Sequence, residues 1–152
     1  MIKKVLKGFG VVFLCFIMLM ILVAVWSYYK SSEYEETAVP YMETAIKDIS
    51  TWDKEVIKSY LTPSVENTIN DSDFEILVNS FTKMGALVEI SEYQFNSVES
   101  KAVMGSESGT FVTYTIPTKY ENGDATITLT LKEEGDSFSV YQFNLNSLTL
   151  LK

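Results

Sequence analysis

Hydrophobic and polar positions follow three different patterns along the chain. From Gly8 to Trp26, nineteen consecutive residues carry no charge. Between Pro40 and Gly85, apolar residues recur every three or four positions, which is the period of helices that bury one face. After Gly85 they alternate with polar residues, as in half-buried strands. The chain is therefore expected to form an apolar N-terminal helix, then further helices, then strands.

The uncharged run predicts a transmembrane helix. It reads GFGVVFLCFIMLMILVAVW, and twelve of its residues are Val, Ile, Leu or Phe. At about −0.3 to −0.6 kcal/mol each, these contribute about −4 to −7 kcal/mol to membrane insertion. As a helix the run is about 28 Å long, close to the hydrocarbon thickness of a bilayer. Trp26, Tyr28 and Tyr29 fall where an aromatic belt is expected. Residues 1–30 are thus predicted to be an uncleaved anchor that contacts the lipid bilayer through residues 8–29.

The flanking lysines predict the orientation of this anchor. Lys3, Lys4 and Lys7 precede the apolar run, whereas Lys30 alone follows it before a group of glutamates. The positive-inside rule then places the N-terminus in the cytoplasm and the rest of the chain outside. The main alternative is a cleaved signal peptide, but the run exceeds the usual apolar length of about 7–15 residues and has no A-x-A-like site. A helix buried in a soluble core is a third alternative.

The polar segment after the anchor leads into a predicted helix. Residues 31–39 are expected to form a short acidic linker or a helical extension of the anchor. Pro40 is expected to open the next helix, because its missing N–H is no loss at the first helical position. Ser50-Thr51 should bend or split this helix, with Ser50 capping the second piece. The apolar face consists of Tyr41, Ala45, Ile49, Trp52, Val56 and Tyr60.

A second helix has clearer ends. Asp71 or Ser72 is its expected N-cap, and Asp73 suits the positive end of the helix dipole. Gly85 is expected to end it, because glycine readily adopts the left-handed conformation that follows many helices. Its predicted buried face consists of Phe74, Leu77, Val78, Phe81 and Met84.

The C-terminal half predicts an antiparallel sheet. Pro117 argues for an edge strand or a bulge, because proline cannot donate to a strand ladder. Asn122-Gly123 predicts a tight hairpin turn, and Gly135 lies in a second one. A change in the phase of the apolar positions between Val140 and Tyr141 predicts a bulge. The predicted strands cover 86–95, 110–120, 125–132 and 137–147, with a looser stretch at 97–109.

This order of elements predicts the fold class. Helices followed by a meander of at least three antiparallel strands indicate an α+β domain, with the helices packed on one face of the sheet. The predicted organisation is an N-terminal transmembrane anchor over 1–30, an acidic linker over 31–39 and one extracytoplasmic α+β domain over 40–152.

Composition narrows the chemistry of the domain. Residues 31–152 hold eight lysines and twenty acidic residues, a formal charge of −12 that disfavours nucleic acid binding. The chain has no histidine and no arginine, and its one cysteine, Cys15, lies inside the apolar run. These absences remove the usual imidazole bases, thiol nucleophiles, most zinc sites and bidentate phosphate clamps. No catalytic, metal-binding or cofactor-binding residue is predicted.

Several segments together resemble a known superfamily. They are a Trp-containing helix ending in Tyr60-Leu61-Thr62-Pro63, a helix closing at Lys83-Met84-Gly85-Ala86-Leu87, a strand leading into Tyr120-Glu121-Asn122-Gly123-Asp124-Ala125-Thr126-Ile127 and a last strand over 138–147. Over residues 40–148 the chain resembles membrane-anchored bacterial domains of the nuclear transport factor 2-like, or cystatin-like, superfamily. The resemblance implies a curved sheet wrapped around a long helix, and a bacterial cytoplasmic membrane. No catalytic residue of the superfamily matches a position here, so the resemblance implies none. Members include both enzymes and scaffold modules, and fold alone does not choose between these functions.

Candidate sites are few, and each has a structural explanation. An apolar cavity lined by Trp52, Tyr60, Phe81, Tyr114 and Phe138 is one candidate, although such aromatic residues more often fill a core. A buried carboxylate beside them, Asp53 or Glu55, would be a candidate base if its pKa were raised. The segment Asn70–Glu75 resembles the start of a calcium loop but lacks its glycine and its distal glutamate, and helix capping explains the same residues.

Two functions from different classes follow from these expectations. The first is a non-enzymatic, membrane-anchored protein-interaction or envelope-associated module, as a homodimer or with an envelope protein partner. The second is a small apolar ligand carrier or a cavity enzyme of the ketosteroid isomerase-like kind. The second requires a pocket of about 300 Å³ or more with one or two converging polar groups.

Overall fold

The chain consists of two compact units, Met1–Glu36 and Thr37–Lys152. The first unit is helical throughout its described residues, and the second combines helices with an antiparallel sheet. The computed structural model describes residues 2–102 and 108–151, and the side chains of these residues except 2–11, 27, 30 and 31.

The first helix, α1, spans Ile2–Ile49 and passes through Pro40. Residues 31–39 are therefore helical, which is the second of the two alternatives for this segment. The expectation that Pro40 opens a new helix is wrong. A proline inside a helix removes one backbone hydrogen bond, at a cost of about 3 kcal/mol. Burial in the following turns offsets that cost, because Met42 and Ile46 are completely buried.

The predicted anchor lies in the N-terminal part of α1, and the first residues of its apolar run, Gly8–Val11, lie outside the described side chains. From Val12 to Trp26 the large apolar side chains are 42–69% exposed. Within the part of the chain whose side chains are described, no helix is both long enough and apolar enough to cross a membrane.

The predicted long apolar face is interrupted after Ile49. Trp52 has a φ of 59°, a left-handed conformation that stops helical hydrogen bonding. A second helix, α2, then spans Lys54–Tyr60. Its cap is Asp53 and not the predicted Ser50, because the Asp53 carboxylate accepts hydrogen bonds from two N–H groups of the first turn at 2.9 and 3.1 Å. The split at Ser50-Thr51 is confirmed, and the cap is corrected.

Two more helices complete the helical part. The short helix α3 spans Pro63–Thr68 and was not expected from the apolar pattern. Its proline occupies the first turn, where the missing N–H is tolerated, and Thr62 caps it. The helix α4 spans Asp71–Phe81 and continues into a 3₁₀ turn at Thr82–Met84. Gly85, with a φ of 75°, ends this segment as expected.

The prediction for α4 is confirmed with two corrections. Its N-cap is Asn70 and not Asp71 or Ser72, because the Asn70 side chain accepts a hydrogen bond from the Ser72 N–H at 2.9 Å. Leu77, one of the five residues predicted to be buried, is 47% exposed. The other four are buried: Phe74, Val78, Phe81 and Met84.

Five antiparallel strands form one sheet. Its order is β1-β3-β4-β5, and β2 also pairs with β3. The segment expected to form one strand over 86–95 is divided between β1 and β2, and β2 extends into the stretch expected to be looser. The strands are β1 Leu87–Ile90, β2 Gln94–Lys101, β3 Gly109–Tyr120, β4 Gly123–Glu134 and β5 Ser137–Asn146.

Two local predictions for the sheet are corrected. Pro117 lies in β3, which is an interior strand and not an edge. It is tolerated there because it lies between the stretch of β3 that pairs with β1 and the stretch that pairs with β2, where the ladder is interrupted. The predicted hairpin forms, but Tyr120 pairs with Gly123, so its two-residue loop is Glu121-Asn122 and not Asn122-Gly123.

The helices pack on one face of the sheet, which confirms the predicted α+β architecture. Ser50 shares a hydrogen bond with the hydroxyl of Tyr120 at 2.9 Å, and the rings of Phe81 and Phe143 lie 6.2 Å apart. The alternation predicted for β4 is confirmed, since its inward residues are buried and align with those of β3. The buried residues on this face include Val112, Tyr114, Ile116, Tyr120, Ala125, Ile127, Leu129 and Leu131.

Candidate binding groove

A groove opens between the short helices α2, α3 and α4 and the strand β5. Its volume is about 380 Å³. We call it the β5 groove. Three polar residues, Asn70, Asp73 and Gln142, contribute to its lining. The remaining lining residues are Ile49, Ile57, Leu61, Val65, Ile69, Phe74, Leu77, Val78, Phe81, Tyr141 and Phe143.

The α4 wall of the groove follows from helical spacing. Phe74, Val78 and Phe81 recur at intervals of four and three residues, so they lie on one face of α4 and are buried. Leu77 lies next to this face and lines the groove while remaining about half exposed. The neighbouring Ile76 is 69% exposed and is not part of the lining. Leu77 is therefore an apolar side chain that a bound molecule would cover.

The wall formed by Leu61 and α3 is held to β5 by a backbone hydrogen bond. The N–H of Thr62 donates to the carbonyl of Val140 at 2.9 Å, which forms an isolated parallel bridge between Leu61 and Val140. The side chain of Thr62 caps α3. This one residue therefore fixes the start of α3 against the edge of the sheet. Val65, in the first turn of α3, lines the groove.

The strand β5 changes its register where it meets the groove. Leu131 of β4 pairs with Val140, whereas the preceding Thr130 pairs with Gln142, so Tyr141 is an extra residue. This is the bulge predicted from the apolar phase shift, and it is confirmed. A bulge turns the side chains around it and increases the local twist of the strand. It brings Tyr141 into the lining of the groove together with Phe143.

The five aromatic residues predicted to line a cavity lie in three separate clusters. Trp52 packs beside Phe81, with ring centroids 5.7 Å apart. Tyr60 and Phe138 both contact the ring of Tyr41, at 6.1 and 5.7 Å. The third cluster pairs Tyr114 with Phe95, at 5.6 Å. Of the five, Phe81 lines the β5 groove. The other four are not among its lining residues.

The tyrosines around Asp48 are held in their protonated form. The hydroxyl of Tyr60 donates a hydrogen bond to the carboxylate of Asp48, and this bond, with burial, raises the pKa of Tyr60 to about 12. Burial and the nearby Tyr60 raise the pKa of Tyr41 to about 12. Tyr93 also has a raised pKa, because burial and the charge of Glu43 raise it to about 12.

These raised values predict that the domain loses stability in strong alkali. Because the pKa of each tyrosine is higher in the folded chain than the unfolded value of about 10, the stabilisation is complete below about pH 10. It is lost as the pH rises through about 12. Urea unfolding at a series of pH values should show the free energy of unfolding falling across this range. Replacing both Tyr41 and Tyr60 with phenylalanine should reduce the slope, and an unchanged slope would contradict the assignment.

Neither carboxylate that the sequence suggests as a base is buried. Asp53 caps α2 and is exposed, and Glu55 is exposed in the first turn of the same helix. Neither lines the β5 groove. In the segment Asn70–Glu75, the side chain of Asn70 caps α4. Among the described residues, no group of three or more His, Cys, Asp or Glu side chains is arranged to hold a metal ion.

A second cavity, of about 730 Å³, lies between α1 and the edge strand β1. Its lining is more polar, and it includes Glu43, Lys47 and Tyr93. Glu43 and Lys47 form an ion pair at 2.6 Å one helical turn apart, which is an ordinary feature of an exposed helix surface. This cavity lacks the continuous apolar wall that distinguishes the β5 groove.

Comparison with known proteins gives no match. No family model, no curated protein and no solved structure matches this chain. The resemblance to the nuclear transport factor 2-like superfamily stays a prediction from sequence pattern.

Proposed function

We propose that this chain is a non-enzymatic binding module in which the β5 groove takes apolar side chains of an envelope protein partner. The observation that carries the proposal is the groove itself, about 380 Å³ in volume with eleven apolar or aromatic residues among its fourteen lining residues. When a partner covers apolar surface of this kind, its removal from water stabilises the complex.

The polar groups of the groove favour binding over catalysis. The side-chain oxygen of Asn70 already accepts the capping hydrogen bond of α4. Asp73 and Gln142 are exposed to water. Catalytic acids and bases usually combine burial with a specific charge partner, which shifts their pKa toward the working pH. The polar groups of this lining are suited to orienting a partner at the rim of the groove.

The proposal includes a membrane anchor, for which the support is the sequence and the exposure of α1. A helix that is apolar on all sides needs an apolar environment, and between Val12 and Trp26 large apolar side chains are exposed all around it. With lysines before this segment and glutamates after it, the domain is proposed to lie on the outer face of a bacterial cytoplasmic membrane.

The groove is tested with a single apolar side chain as the probe. N-acetyl-leucine amide, added to the full chain in lipid nanodiscs, should shift the methyl resonances of Ile57, Val65 and Val78. The methyl groups of Ile127 in the core should not move, and N-acetyl-glycine amide should have no effect. Leu77→Asn should weaken the binding about tenfold, because it removes apolar contact at the groove.

The matched control is Ile76→Asn, which changes the adjacent, more exposed residue of α4 outside the groove. It should leave the leucine probe bound as in the parent chain. Equal effects of the two variants, or shifts spread over the whole domain, would count against the groove as the binding site.

A small apolar ligand carrier is the second candidate function. The observation in its favour is the groove volume, which lies within the range of about 300–1,000 Å³ typical of small-molecule sites. In that case the purified chain should release a small apolar molecule on extraction with organic solvent, and the extracted chain should bind the leucine probe more tightly.

A further inference from the structure

We propose that the partner enters the β5 groove as an extended strand that pairs with the free edge of β5, with apolar residues at alternate positions and lysine or arginine at its ends. This inference rests on the proposed function and specifies its binding mode. Three observations carry it: the free strand edge, its position in the groove wall and the charge around the groove.

The strand β5 is the last strand of the sheet. It pairs with β4 along one side over its whole length. On its other edge, the described residues show one main-chain pairing, the parallel bridge from Leu61 to Val140. The chain then leaves the sheet at Pro63, which begins α3. Leu61 thus already pairs with one residue on this edge of β5. The rest of the edge is available to pair with a strand of a partner.

The same residues form both the strand edge and the groove wall. Tyr141, Gln142 and Phe143 belong to β5 and line the groove directly after the bridge at Val140. A strand paired here would direct every second side chain toward one side of the sheet. Main-chain hydrogen bonds would supply affinity, and the apolar groove would select the alternate side chains.

The charge around the groove favours a basic partner. Residues 53–82, which include the three helices of the groove, hold six carboxylates and two lysines, a formal charge of −4. Both lysines are already engaged, Lys58 with Asp71 at 2.5 Å and Lys54 with Glu75 at 3.7 Å. Asp73 is itself one of the lining residues of the groove. Lysine or arginine at the ends of a guest strand would therefore be attracted to this surface.

The test uses the blocked peptide KKVTVTVKK, labelled with a fluorophore, and the full chain in nanodiscs of uncharged lipid. Fluorescence anisotropy should show saturable binding that weakens as sodium chloride is raised, because salt screens the lysines. Leu77→Asn should weaken binding about tenfold and Ile76→Asn should not. The peptide EEVTVTVEE should bind at least tenfold more weakly.

Backbone methylation separates strand pairing from simple side-chain docking. Successive residues of a strand direct their N–H groups to opposite edges, so N-methylation of the valines and N-methylation of the threonines block different edges. One of these two peptides should lose at least tenfold in affinity and the other should bind like the parent. Equal affinities of the two methylated peptides would overturn the strand-pairing inference.

The remaining outcomes distinguish this inference from the proposed function. Binding of N-acetyl-leucine amide without binding of KKVTVTVKK would overturn the strand mode and leave the groove function standing. Absence of both would overturn both. Circular dichroism of the variants at the assay temperature verifies that each remains folded, so that a loss of binding is assigned to the groove.

Discussion

Replacing Trp52 with alanine is expected to lower the free energy of unfolding by about 3 kcal/mol. The indole ring packs between Phe81 and Tyr120, with centroid distances of 5.7 and 5.5 Å. Its N–H donates to the carbonyl of Gly85 at 3.0 Å. The side chain thus joins the break after α1 to the end of the α4 segment and to the sheet. Urea unfolding of the full chain in nanodiscs, followed by circular dichroism, measures the change.

Trp52→Phe separates the packing of the ring from its hydrogen bond. Phenylalanine keeps an aromatic ring between the same neighbours but leaves the carbonyl of Gly85 without the indole donor, so the expected loss is about 1 kcal/mol. Neither variant should change the affinity of the groove for N-acetyl-leucine amide, because Trp52 is not among the lining residues. A loss below about 1 kcal/mol for Trp52→Ala would show that this side chain does not hold the elements together.

The double substitution Leu19→Lys with Val23→Lys is expected to release the chain from the membrane. Each lysine costs about 2.5–3.5 kcal/mol at the centre of a membrane helix and also removes a favourable apolar residue. The two together cost about 6–8 kcal/mol, which offsets most or all of the roughly −4 to −7 kcal/mol available from the apolar run.

Alkaline carbonate extraction measures this effect. The parent chain should stay in the membrane pellet, and the double lysine variant should move to the supernatant or be degraded. The matched control, Leu19→Ile with Val23→Ile, keeps the apolar character and should stay in the pellet. A double lysine variant that remains as resistant to extraction as the parent would contradict the anchor.

The sheet was predictable where apolar and polar residues alternate without interruption. Apolar residues at Ala125, Ile127, Leu129 and Leu131 alternate with threonines, and a strand with one buried face is the one arrangement that separates them. The bulge at Tyr141 was predictable for the same reason, because a shift in this alternation must be absorbed by an extra residue.

The helical breaks were less predictable because they depend on tertiary contacts. Pro40 looks like a helix start when only local cost is considered, yet burial of the following turns keeps α1 continuous. Trp52 has the right spacing for the apolar face of a helix, but its ring is held by Tyr120 and Phe81 while its backbone takes a positive φ. The local sequence does not indicate that such a contact forms.

The groove was missed because its residues are scattered and few of them belong to a periodic stripe. Leu61, Val65 and Ile69 lie around a helix of six residues, too short for a periodic signal. The available signals were local: Thr62-Pro63 has the form of a helix cap followed by a first-turn proline. In α4, the run of Ile76, Leu77 and Val78 holds more apolar residues than one buried face requires.

In the proposed membrane topology, an uncleaved N-terminal helix holds the domain on the outer face of the membrane. Its most direct test is labelling of intact cells with a membrane-impermeant maleimide, using chains in which Cys15 is replaced by alanine. The Asp136→Cys variant, at an exposed hairpin turn, should be labelled in intact cells as a full-length chain. The Ile2→Cys variant should be labelled only after lysis. The reverse pattern, or a labelled chain that begins near Ser27, would contradict this topology.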